Sequence, residues 1–373
     1  MKDARLQKLA HLLINYSLGI KKGEYLQLEG NLITEPLLKE LYREAIKVGA
    51  YPEITPFMDD ATEILLKEGN DDQIKFISPL VRTMVEKYDA SMYLFGGTNT
   101  KSRANIDSKK IAERRRAQRE IIDISNKREE AGEFRWCLTQ FPTHSDAQEG
   151  NMSLDEYEDF VFDAGLIDKE DPIAEWKKIS ENQQKVVDYL DTKKELHIIS
   201  KDTDLKMSIE GRKWINCDGK VNFPDGEVFT GPVEDSVEGH IRFSFPGIYS
   251  GKEIEDIRLT FEKGKVVKAE AEKGEELLHA LLDTDEGARR LGEIAIGTNY
   301  GIQKFTKNML FDEKIGGTVH AAIGMSIPGT NANNASSIHW DMLCDMRECG
   351  KIYADGELFY ENGQFLFDVV EKK

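Results

Sequence analysis

In Ser336-Ser-Ile-His-Trp-Asp341 a histidine and an aspartate stand two residues apart in a strand-like run. Residues two apart in a strand project to the same side. His339 and Asp341 would therefore aim a ring nitrogen and a carboxylate oxygen at one point, while Ile338, Trp340 and Met342 face the other way. Such a pair can ligate a divalent metal, and it can equally be the outward polar pair of a half-buried strand. His320 lies in a second strand pattern, Gly316-Gly-Thr-Val-His-Ala-Ala-Ile-Gly324, between glycine turns. Glu293 sits in Ala288-Arg-Arg-Leu-Gly-Glu-Ile-Ala-Ile-Gly297, an unusually apolar setting for a carboxylate. A buried glutamate needs a partner, and either a metal or an ion pair with Arg289 or Arg290 would serve. Glu227 directly follows the turn Pro224-Asp-Gly226, and Glu313 follows Phe311-Asp312 in a loop, where alone it reads as solvated. Carboxylates and imidazoles converging on one pocket are what metal-assisted hydrolysis requires.

The elements that must position these residues change character along the chain. Up to about residue 194 the pattern alternates between helix and strand. Asp3 to Leu18 is amphipathic, Glu24 to Leu28 is a short strand, and Thr34-Glu-Pro36 opens a helix that Gly49 ends. Ala90 to Phe95 is a buried strand, Lys109 to Ser125 a charged helix, and Phe134 to Thr139 another strand. Ser153-Leu-Asp-Glu156 is a capping box, and a polar helix runs from Trp176 to Leu190. The alternation predicts an α/β domain with a mainly parallel sheet over residues 1–194. From 195 to 373 the strands become short and turn-punctuated, as at Glu195–Ile199, Glu227–Thr230, Gly239–Phe245, Ile257–Phe261 and Val266–Ala271, with helices after Gly274 and Asp285. This half reads as a strand-rich α+β domain that carries the candidate metal site.

Composition narrows the chemistry further. The chain has 373 residues, 50 basic and 68 acidic, for a net charge of −18. That field repels phosphate backbones and favours cations, so nucleic acid is not an expected partner. There is neither a GxGxxG fingerprint nor a Walker P-loop. The four cysteines form no CxxC pair and read as free thiols of a reducing compartment. No run approaches a membrane span, and the N-terminus lacks an apolar signal core, so the expected location is cytoplasmic. Of the other histidines, His11 reads as a surface or edge residue of the N-terminal helix, His197, His240 and His279 lack ligand-like neighbours, and His144, in a loop after Phe141-Pro-Thr, is the one that could line a site.

At the candidate ligands the chain resembles the metalloaminopeptidases of the aminopeptidase T and aminopeptidase S type. The resemblance runs from Thr203-Asp-Leu205 to Arg347. It passes through Asn222-Phe-Pro-Asp-Gly-Glu-Val-Phe-Thr230, Arg290-Leu-Gly-Glu-Ile-Ala295, Asn308-Met-Leu-Phe-Asp-Glu313, His320-Ala-Ala-Ile-Gly324 and Ser337-Ile-His-Trp-Asp341, in order. It implies that Glu227, Glu293, Glu313, His320, His339 and Asp341 hold two divalent ions (zinc, cobalt, manganese or magnesium), with Glu293 bridging them. It implies removal of N-terminal residues from peptides with a free amino terminus, with Glu293 or Glu313 moving the proton, and a homodimer. A related amidase or dipeptidase, or a weakly active metal- or peptide-binding homologue, is the alternative. One departure bears on it: the family usually has a tyrosine seven residues after the first metal histidine, and this chain has Ile327.

Overall fold

The computed structural model describes residues 3–249 and 251–371. The chain forms two compact units, Met1–Ile173 with Gly219–Pro224, and Ala174–Asp218 with Asp225–Lys373.

The first unit is built on a parallel sheet. Strands β1 (Tyr25–Asn31), β2 (Tyr51–Phe57), β3 (Ala90–Phe95) and β4 (Arg135–Gln140) run in the order β2-β1-β3-β4, and Asn222–Phe223 adds a fifth strand beside β4. Every pairing is parallel, as alternating helices and strands require. Gly49 ends the helix Glu35–Val48 in the left-handed conformation, at φ 82°. Thr34 does not cap that helix through its side chain; its hydroxyl donates instead to Asn31 O at 2.7 Å. Ser153 and Glu156 form both arms of the expected capping box. Among the described residues, no helix is long and apolar enough to cross a membrane.

The units part at Ile173 and Ala174 rather than near residue 194, because the helix Pro172–Leu190 is tied to the second unit. The Gln183 amide donates to Cys217 O at 2.9 Å and to Glu227 O at 3.2 Å. Residues 219–224 return to the first unit's sheet, a pairing between segments far apart in sequence.

The second unit is strand-rich. An eight-stranded antiparallel sheet includes the hairpin Ile257–Glu262/Lys265–Glu270, whose turn residues Lys263 and Gly264 both take positive φ. A five-stranded sheet consists of β5 (Glu227–Thr230), β6 (Leu291–Gly297), β7 (Thr318–Gly324) and β8 (His339–Asp345), in the order β8-β7-β6-β5, with Ile215–Cys217 at the edge. Its inner face supplies Val228, Ile294, Ile296, Val319, Ala321, Ile323, Trp340 and Met342 to the unit's hydrophobic core. The helix expected after Asp285 is only one 3-10 turn, Gly287–Arg289.

A bulge decides which way the acidic residue of β6 points. The register steps from Leu291 opposite Ile323 to Glu293 opposite Ala322, leaving Gly292 as the extra residue. Without it, Leu291 and Glu293 would share a face; with it, Leu291 joins the core and Glu293 turns to the opposite side. Only glycine fits there, since a Cβ on residue 292 would meet Gly324 O and Met325 O at 2.4 Å each. Gly292→Ala is therefore expected to destabilise the chain by about 1–3 kcal/mol and to weaken divalent-metal binding. Denaturant unfolding and metal titration check both effects.

Candidate metal centre

The outer face of the five-stranded sheet assembles the chemistry. His339 and Asp341 share one face of β8, with Trp340 and Met342 opposite. In the register, His320 pairs with Ala295, Ala322 with both Glu293 and Asp341, Gly324 with His339, and Gly297 with Glu227. Glu227, Glu293, His320, His339 and Asp341 thus lie on one face, separated by alanines and glycines that leave space among them. Glu313 comes from the end of the short helix Met309–Asp312.

The separations are specific. His320 Nε2 lies 3.1 Å from Glu227 Oε2 and 3.4 Å from Glu293 Oε1. His339 Nε2 lies 3.3 Å from Glu293 Oε2 and 3.4 Å from Asp341 Oδ2. Glu293 is shared, one oxygen toward each imidazole. Donor atoms of Glu313, His320 and Asp341 also fall within 4.8 Å of one another. Arg289 and Arg290 are occupied elsewhere, with Asp283 and with Glu234 O, so neither pairs with Glu293.

These residues fit divalent ions. Ligands on tetrahedral arms of about 2.1 Å stand about 3.4 Å apart, the spacing found here. Protons serve the set less well, since each Nε2 faces two carboxylates and carries at most one hydrogen. His339 Nδ1 donates to Met325 O at 2.7 Å; a carbonyl only accepts, so the neutral ring turns the lone pair of Nε2 toward Glu293 and Asp341. Among the described residues, Asp341 Oδ1 is buried without a hydrogen-bond partner, a costly arrangement that a cation at the cluster would relieve.

Lys314 was not singled out from the sequence. It is fully buried, paired with Glu313, 3.3 Å from Glu227 Oε1 and 3.8 Å from Asp225 Oδ1. Burial works against its charge, but Glu227, Glu313 and Asp225 keep it firmly protonated. Burial would raise Glu227, yet the Lys314 ammonium and the His320 ring hold it down to about 2. Burial dominates at Glu313 and, with Glu227 and Asp341 near and Lys314 opposing, lifts it to about 8. Burial would lower both histidines, but the carboxylates raise them, His320 well above its usual value and His339 to about 11. Cys217 also approaches Asp225 and Glu227; burial and those carboxylates push its thiol well up, and Lys314 provides the cation on that side.

The metal-free protein should accordingly lose stability as pH rises. His320 and His339 are raised on folding, so their contribution is complete below about pH 6.5, the unfolded value, and is lost as pH rises through their folded values, for His339 about 11. Glu313, raised to about 8, acts in the same direction above about pH 4.5. Melting of chelated protein at pH 6 and pH 9 should show the loss. Saturating metal, which displaces those protons, should remove it.

The other histidines lie elsewhere. His11 pairs with Glu44, and His197 with Asp204, each at 2.8 Å. His144, His240 and His279 are exposed. Ile327 is half-buried in the turn after β7, its carbonyl accepting from Thr330 Oγ1 at 2.8 Å. Among the described residues, no phenol bonds to the six donor residues, and Tyr300 donates instead to Gly363 O at 2.9 Å.

A carboxylate–imidazole cluster on such a sheet is the equipment of a metal-dependent hydrolase. The chain belongs to the thermophilic metalloprotease family (M29), whose model matches residues 2–365, and is therefore an enzyme that hydrolyses peptide bonds with a divalent metal. It is 28% identical to aminopeptidase 2 of Geobacillus stearothermophilus over 91% of this chain and 88% of that one. It is 30% identical to aminopeptidase T of Thermus thermophilus over 78% of this chain and 76% of that one. The solved structure of wild-type AmpT from Thermus thermophilus superposes with a TM-score of 0.84 at 25% identity, covering 97% of this chain and 99% of that one.

Proposed function

We propose that this enzyme is an aminopeptidase working through two divalent ions held by Glu227, Glu293, Glu313, His320, His339 and Asp341. The observation that carries the proposal is the shared carboxylate of Glu293, 3.4 Å from one imidazole and 3.3 Å from the other. Charge supports it. Glu227, Glu293, Glu313 and Asp341 bring four carboxylates to the cluster, and the Lys314 ammonium pairs with two of them, Glu227 and Glu313. Divalent cations would balance the excess of negative charge. The relatives' names support the activity.

Bound ions would supply Lewis acidity and bring a water's pKa toward neutrality. The chain's own residues do the rest. Glu293, with one oxygen toward each imidazole, would contribute a ligand to both ions. Glu313 is the stronger choice for moving a proton from water to the leaving amine, since its main fixed partner is the Lys314 ammonium. The chain's net charge of −18 favours approach of a substrate's free ammonium. Cytoplasmic location and a homodimer belong to the same proposal, and light scattering near twice 42.4 kDa tests the second.

The test is a panel of aminoacyl chromogenic substrates with metal-loaded protein, with and without N-acetylation. Free-amine substrates should turn over, and blocking the amine should cost at least about 100-fold, or roughly 2.7 kcal/mol. Equal turnover of blocked substrates would favour an amidase. Bound metal without turnover of any substrate would favour a binding protein.

Ile327 supports slow turnover within this reading. An isoleucine cannot donate to a developing oxyanion, and such a donor is worth about 100- to 1,000-fold. Ile327→Tyr is expected to raise kcat by about tenfold or more with metal content unchanged. A fall in kcat at constant metal would show that Ile327 belongs to a site already complete.

A further inference from the structure

The first unit contains a cavity of about 710 Å³, within the range of small-molecule sites. Its floor is the sheet itself, and the floor is polar. A parallel sheet covered by helices is ordinarily apolar on both faces. One face here obeys that rule, with Leu26, Leu28, Ala90 and Met92 all wholly buried. The other presents Gln27 and Glu29 from β1, in register with Ser91 and Tyr93 of β3, while Thr55 of β2 lies opposite Glu29.

Most of this polar row is internally satisfied. Gln27 Nε2 donates to Glu29 Oε2 at 2.8 Å and to Thr55 Oγ1 at 3.0 Å, and Ser91 Oγ donates to Gln27 Oε1 at 2.7 Å. Glu29 is the exception. Among the described residues it has no cationic partner, and its second oxygen receives no hydrogen bond. Burial alone raises its pKa. A carboxylate placed on a covered sheet face without a cation is costly, and Gln27 holds it facing the cavity.

The lining also includes Arg114. Its Nη1 is fixed by Ile74 O at 3.1 Å and Phe76 O at 2.6 Å, while its Nε and Nη2 have no acceptor among the described residues. Leu65, Phe76, Val81, Met84 and Ile121 supply apolar lining. One anion, one cation and an apolar wall share one cavity.

We propose that this cavity binds a small zwitterion with an apolar body, its ammonium on Glu29, its carboxylate on Arg114 and its side chain among Leu65, Phe76, Val81 and Met84. That is the chemistry of a free apolar amino acid or of a short apolar peptide. Every residue of its lining belongs to the first unit.

Calorimetry on the metal-loaded full chain tests it, with L-phenylalanine and L-leucyl-L-leucine as probes and phenethylamine and 3-phenylpropionate as singly charged controls. A hydrolysis-resistant reduced-bond analogue of the dipeptide separates binding from turnover. One zwitterion should bind per chain with a dissociation constant below about 1 mM, and whichever of the amino acid and the dipeptide binds tighter identifies the length accepted. Each singly charged control should bind at least about tenfold more weakly, as should the zwitterion to Glu29→Gln. Val81→Trp, at a half-exposed position, should close the cavity and abolish binding. Circular dichroism establishes that both variants are folded. Binding should also survive chelation, which separates it from any amino acid held at the metal centre. No heat with either zwitterion, or binding unchanged in both folded variants, or binding that disappears with the metal, would overturn the proposal.

Discussion

Replacing Glu293 by alanine is expected to remove both ions and to lower kcat/KM on an aminoacyl substrate by about 10⁴-fold. Lewis-acid stabilisation by metal is worth several kcal/mol, and about 5–6 kcal/mol corresponds to this loss. The reason is geometric. Glu293 Oε1 faces His320 at 3.4 Å and Oε2 faces His339 at 3.3 Å, so its removal takes a ligand from both halves of the cluster. His339→Ala gives the contrast, because Glu227, Glu293 and His320 stay together in that variant and should retain one ion. If Glu293→Ala kept one tightly bound ion and lost only about tenfold in kcat/KM, each half would own separate ligands and the shared-carboxylate arrangement would be wrong.

Lys314→Met should cost about 3–5 kcal/mol of stability in the chelated protein, the usual consequence of removing one partner from a buried ion pair. Its ammonium is fully buried among Asp225, Glu227 and Glu313; methionine fills similar space and removes the positive charge that faces all three. Metal should recover part of the loss, since two divalent ions oppose the same negative field. Denaturant unfolding with chelator and with saturating metal measures both quantities. A change below about 1 kcal/mol in chelator would mean that the carboxylates simply take up protons and that Lys314 does not organise them.

Lys314 also shows where the sequence stops being legible. In Phe311-Asp-Glu-Lys314 it reads as half of a charged surface pair, and no local pattern distinguishes an ammonium that is fully buried from one in water. Asp312 is similar: it is buried, accepts from Thr306 N at 2.7 Å, and is pushed up to about 7 by burial. Their neighbours Ile315-Gly-Gly317, an apolar residue before two glycines, were the available sign of close packing. His339 and Asp341 were legible because strand alternation is a local rule. Glu293 stood out through its apolar setting, but its direction depends on the bulge at Gly292, and that bulge is visible only in the pairing with β7. Of the first unit's strands, Ala90–Phe95 could be read to the residue from a short apolar run, whereas Tyr51–Phe57, with two prolines, does not show as a strand in sequence. The return of Asn222–Phe223 to that sheet is a contact between distant segments and leaves no local trace. Gln27 and Glu29 likewise look like the polar side of an ordinary strand until β3 and the helices close over them.

The most direct measurement is the number of metal ions per chain. Protein loaded with zinc, cobalt or manganese and dialysed to equilibrium should carry two ions per 42.4 kDa chain by elemental mass spectrometry, at most one in His339→Ala/Asp341→Ala, and none in Glu293→Ala. A saturated wild-type chain with one ion or none, or the same count in the wild type and the double variant, would contradict the account.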